Sequence, residues 1–127
     1  MSIASNKYRG SIDYHLVYCE LIQAAQYGGL TTYQAVAQIM GLPLKGSHMG
    51  KEVGIMLGDI SEDELGQGRP MLSAVVVGVS GSPGPGFAAL ARELGKLESE
   101  DKADEMAFWE EERAAVYKAW AREFKTS

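Results

Sequence analysis

One stretch limits the fold of this chain more than any other. Residues 71–79, MLSAVVVGV, carry valine at 75, 76, 77 and 79, and β-branched residues favour strands. Gly68-Arg69-Pro70 precedes the run and Ser80-Gly81-Ser82-Pro83-Gly84-Pro85-Gly86 follows it, so glycine and proline force a turn after it. We read residues 71–79 as a strand. The remaining apolar segments recur at helical spacing. The fold class is therefore mainly α with a small β element.

The helices are read from their stripes and their ends. Ser11 is an N-cap candidate, Asp13 suits the positive end of a helix dipole, and Tyr14, Val17, Tyr18, Leu21, Ile22 and Ala25 form the buried face. Gly28-Gly29 ends that first helix. Thr31 with Gln34 fits a capping box for a second helix of about ten residues, with Val36, Ile39 and Met40 inward and Gly41-Leu42-Pro43 as its stop. A third helix is expected from His48 to about Gly58. Its glycines at 50, 54 and 58 share one face, which suits close approach of another backbone. Residues 61–68 read as a polar connector. A fourth helix runs from Phe87 to about Leu97, on Phe87, Leu90, Ala91 and Leu94. A charged link, 98–104, leads to a last helix ending near Phe124, with Phe108, Trp109, Val116, Tyr117, Trp120 and Phe124 as its stripe. The domain plan is one unit: a loose arm over 1–10, a core over 11–97 and a C-terminal helix over 104–125.

Bulk numbers exclude several classes. At 127 residues the chain has room for one core. No apolar run reaches membrane-spanning length, so no membrane partner is expected. Cys19 is the single cysteine, which rules out an intrachain disulfide and fits a reducing cytoplasm. On the first helix it reads as a small buried hydrophobe. Neither a metal nor another cofactor is expected, since His15 and His48 lack ligand spacing. The net charge of −5 opposes strong nonspecific binding to nucleic acid. Residues 11–91 hold three bases, Lys45, Lys51 and Arg69, against seven acids, and two of those bases lie close together.

Helix, short helix, turn, helix, strand and turn is the order of a winged helix-turn-helix. In that fold the third helix enters the major groove with its N-terminal residues toward the bases. Here those residues are Lys45, Ser47, His48 and Lys51, which supply charge and hydrogen bonds at a helix end that itself attracts phosphate.

The segments TTYQAVAQIMGLP, GKEVGIML and RPMLSAVVVGVSGSPGPGF resemble, in order and character, the winged-helix domain of the O6-alkylguanine-DNA alkyltransferases and alkyltransferase-like proteins. The resemblance covers about residues 30–90. It implies that Tyr33 matches a tyrosine pressing on a DNA phosphate during base flipping. It also implies that Lys51 stands near an arginine filling the vacated space, lysine being a departure. The family's acceptor cysteine follows proline, whereas this chain reads Pro70-Met71-Leu72-Ser73. A thioether cannot become the thiolate that alkyl capture requires, so alkyl transfer is not expected. Gly-Arg-Pro, an apolar strand and Pro-Gly-x-Gly-Phe are similar also to a pattern in small bacterial and phage proteins. That implies that Arg69 and residues 84–87 form one unit.

No other catalytic set emerges. The Gly/Pro turn is not followed by the lysine and Ser/Thr of a nucleotide-binding loop. Ser73, Ser80 and Ser82 lack a nucleophile context, and Glu62-Asp63-Glu64 reads as a charge run, a solvated face or a helix start. The expected function is non-catalytic binding of double-stranded DNA, in regulation, repair or phage-related defence, through Tyr33, Lys45, Ser47, His48, Lys51 and Arg69. The aromatic C-terminal helix packs on the domain's own first helix or, if it projects instead, dimerises, which would suit a two-fold DNA reader. The alternative is a protein-interaction module that keeps the fold and has lost the DNA face.

Overall fold

The computed structural model describes residues 7–121. Helix α1 spans Ile12–Gln26. Ser11 caps it, its Oγ accepting from the Tyr14 amide at 3.1 Å, and Tyr14, Val17, Leu21 and Ala25 are buried. Strand β1, Thr31–Thr32, leads directly into α2, Tyr33–Ile39. The cap is Thr32 rather than Thr31: the Thr32 hydroxyl accepts from the Ala35 amide at 3.0 Å. Thr31 is occupied in the strand pair, and its hydroxyl donates to Glu20 at 2.7 Å. Helix α2 has seven residues instead of about ten.

Helix α3 runs Ser47–Gly66, well past the expected end at Gly58. Three consecutive acids in its last turns face the negative end of the helix dipole, an unfavourable position for a carboxylate. Side chains from outside the helix compensate. Arg9 donates to Glu62 at 2.9 Å and to Asp63 at 3.2 Å, and Arg69 donates to Glu64 at 2.7 Å. Tyr14 and Tyr18 on α1 donate to Asp63 and Glu64. The expected connector is therefore helix, and Glu64 is fully buried rather than solvated. The same contacts tie residues 7–10, read as part of a loose arm, onto α3.

The valine run is only partly a strand. Leu72–Val75 form a 3-10 turn, and β2 is confined to Val76–Val77. Strand β2 pairs in parallel with β1, Thr31 opposite Val76 and Thr32 opposite Val77. No hairpin wing forms among the described residues. Residues 71–77 are all buried, so the run has no solvent face to impose alternation. The backbone of its first half meets side chains instead of a sheet neighbour. The Met71 amide donates to Glu112 at 2.9 Å, and the Ala74 carbonyl accepts from the Trp109 indole at 2.8 Å.

Helix α4, Pro85–Glu93, begins two residues before Phe87, with proline in its first turn where no amide is missed. Helix α5 spans Lys102–Trp120 and is capped by Asp101, whose carboxylate accepts from Ala103 at 2.8 Å. One hydrophobic cluster joins all five helices and the 71–77 segment, with Val17, Leu21, Val53, Met56, Ile60, Leu72 and Val116 at its centre. Mainly helical structure with a small β element is thus what the chain forms. No helix among the described residues is long and apolar enough to cross a membrane.

Candidate nucleic-acid interface

The turn from α2 to α3 exposes the start of α3. Lys45, Ser47, His48 and Lys51 are all exposed. Gly46 occupies the cap position with φ +97°, which favours glycine, and offers no side-chain oxygen to the first amides. The first turn carries no acid. Unsatisfied amides, the dipole and two lysines therefore act together in favour of an anion.

Behind that start lies an open apolar pocket of about 460 Å³. Tyr33 and Gln34 of α2 form one wall, and Met49, Gly50, Gly54 and Leu57 of α3 another. Gly78, Gly84 and the first turns of α4 complete it, with Ser73. The glycine face of α3 suits either the close approach of another backbone or a helix that merely tolerates glycine. A Cβ at Gly50 or Gly54 would meet nothing within 4 Å. These glycines leave space. Gly84 does need close approach: its amide donates to the Tyr33 hydroxyl at 3.0 Å, and a Cβ there would lie 3.3 Å from that oxygen. Burial pushes the Tyr33 phenol up from its ordinary pKa, and the Gly84 amide partly offsets this.

Five carboxylates lie between Glu20 and Glu93, all on α3. Glu52 is held by Lys7 and Tyr8, and Asp59, Glu62 and Asp63 contact Arg9. Glu64 is held by Arg69. Hydrogen bonds from Lys7 and Tyr8 keep the Glu52 carboxyl below its usual pKa. Helix α2, the turn into α3 and residues 78–86 carry no acid at all, while Lys45 is their one base. The acidity of the chain is concentrated elsewhere, above all in residues 93–112.

The predicted residues fall into two groups. Tyr33 lines the pocket beside Met49 and Gly50, next to the Ser47–Lys51 turn. Arg69 lies beyond the other end of α3, a helix about 30 Å long. Its guanidinium is spent on Glu64 and on the Trp120 ring, 5.0 Å away. Among the described residues no hydrogen bond joins Arg69 to residues 84–87, and Gly84 is tied to Tyr33. Met71, at the position the resemblance gives to the acceptor cysteine, is fully buried and does not line the pocket. Cys19, expected inside, is exposed on α1.

Sequence reading missed the pocket itself. Its signal was the Gly50–Gly54 spacing, which fits a filled groove as well as an empty one. The aromatic stripe of α5 turns inward: Trp109 and Val116 are buried, Phe108 packs on Phe87, and the Tyr117 hydroxyl donates to the Gly29 carbonyl at 2.7 Å. Of the two readings of this helix, packing within the domain is the one these residues show; Phe124 lies outside the described residues. Comparison with protein-family profiles, curated protein sequences and solved structures gave no match.

Proposed function

We propose that the protein binds double-stranded DNA without altering it chemically. The observation that carries this reading is an acid-free helix start bearing Lys45, His48 and Lys51 beside an open apolar pocket. The helix start engages phosphates and groove edges, and the pocket takes an apolar or unstacked group next to them. Its volume falls in the range of small-molecule sites. The resemblance to alkyltransferases supports the same reading, since it implies that Tyr33 presses on a DNA phosphate during base flipping and that Lys51 stands near the residue filling the vacated space.

A fluorescence-polarisation titration with plain and base-modified duplexes tests this. Lys51→Glu is expected to weaken binding about tenfold at low salt and to flatten the dependence of affinity on salt, because fewer counterions are released. Negligible binding by both proteins would remove the proposal. Gly54→Leu is expected to leave plain-duplex binding intact and to abolish any preference for a modified base. The new side chain enters empty space and a mid-helix glycine is lost, so folding should not suffer.

A partner protein is the second reading. Ile12 (77% exposed) and Leu16 (51%) present an apolar strip on α1. Binding through that strip would scarcely respond to salt.

A further inference from the structure

The charge on the start of α3 depends on a residue from outside it. Between Glu20 and Asp59 the chain has one carboxylate, Glu52. It follows Lys51 directly and lies one turn after His48, on the same side of the helix. Glu52 is 4% exposed, so its counter-charge comes from the protein. The Lys7 ammonium sits 2.5 Å from its Oε1, and the Tyr8 phenol donates to the same oxygen. The Lys7 side chain remains 54% exposed, which leaves its charge near solvent at the flank of the helix.

We propose that Lys7 is a positioning residue of the DNA-binding face: it cancels Glu52, so that Lys45, His48 and Lys51 present a net positive field to phosphate. This rests on the DNA reading above. Without Lys7, an unbalanced carboxylate stands within the first two turns of the helix that meets the polyanion. A unit charge at that range in water changes affinity roughly fivefold at low salt, and less as salt screens it.

The test is a polarisation titration of a plain duplex by the full chain, wild type beside Lys7→Gln, Lys7→Arg, Glu52→Gln and the double variant Lys7→Gln/Glu52→Gln. Lys7→Gln should bind roughly fivefold more weakly at low salt, and Lys7→Arg should bind like the wild type. The double variant should recover the lost affinity, although it has lost both halves of the ion pair. A purely structural role for the pair predicts the opposite, with the double variant no better than Lys7→Gln; that result overturns the inference. Wild-type binding matched by Lys7→Gln also overturns it while leaving the DNA reading standing. Failure of the wild type to bind any duplex ends both.

Discussion

Replacing Arg69 with alanine is expected to lower the stability of the protein by about 3 kcal/mol, the lower end of the cost of stranding a buried charge, since Glu64 is buried while the Arg69 side chain is 36% exposed. The Glu64 side chain is wholly buried. Arg69 reaches it with two nitrogens, Nε at 3.0 and 3.1 Å and Nη2 at 2.7 Å. This two-nitrogen contact is the geometry in which a guanidinium is hardest to replace. Among the described residues, the Tyr18 phenol alone would remain as a hydrogen-bond donor to the Glu64 carboxylate. The arginine also covers the Trp120 ring, so its loss uncovers an aromatic as well as a charge. For a domain of this size the midpoint of thermal unfolding should fall by roughly 10 °C. The double variant Arg69→Met/Glu64→Gln should lose much less, because no unpaired charge is left inside. A melting midpoint within a degree or two of the wild type for Arg69→Ala would show that the pair is not needed to bury Glu64. DNA affinity per folded molecule should not change, since Arg69 lies at the far end of α3.

That separation explains how far the sequence could be read. Helix α1 was legible because cap, stripe and glycine stop agree locally. The extent of α3 was not, because its acidic end is made tolerable by Arg9 and Arg69, which neither periodicity nor propensity can pair with it. The valine run was read as one strand because β-branched residues favour that state. Burial on every side and the Trp109 and Glu112 hydrogen bonds instead fold its first half into a 3-10 turn. At the site, Lys45, Ser47, His48 and Lys51 are neighbours in sequence and stay together. Arg69 looked equivalent to them only because isolated arginines carry no sign of their partners. The pocket was hidden for a related reason: three glycines on a helix face announce missing side chains, and only the packing decides whether the space is filled. Cys19 shows the limit of a stripe argument, since it stands beside Tyr18 and Ile22 yet on the exposed side of α1.

The second large effect is expected in alkali. Tyr8, Tyr14 and Tyr18 form a row along one side of α1 and the segment before it, and each phenol donates to a carboxylate of α3: Glu52, Asp63 and Glu64. Burial, then the hydrogen bond to the carboxylate, raises all three phenols; Tyr8 is pushed up to about 12, and Tyr14 and Tyr18 also rise above the ordinary value of 10.0. Ionising any of them would set two negative oxygens against each other. In the unfolded chain the phenols ionise near pH 10, so above that pH the folded state holds more protons than the unfolded one. Stability is then present in full below pH 10 and is lost as pH rises through the folded-state values. The slope has an upper limit of roughly 4 kcal/mol per pH unit for three protected groups. Solvent screening lowers it, because Tyr8 and Tyr18 are partly exposed. Far-ultraviolet circular dichroism should therefore show unfolding more than about one pH unit above 10, coincident with the rise in tyrosinate absorbance from these three phenols. Tyr14→Phe should reduce the steepness of that transition, having one fewer proton to lose. Smooth ionisation of every tyrosine with the helical signal intact would mean that the α1–α3 seam does not hold its phenols protonated. The extension of α3 would then rest on its two arginines alone.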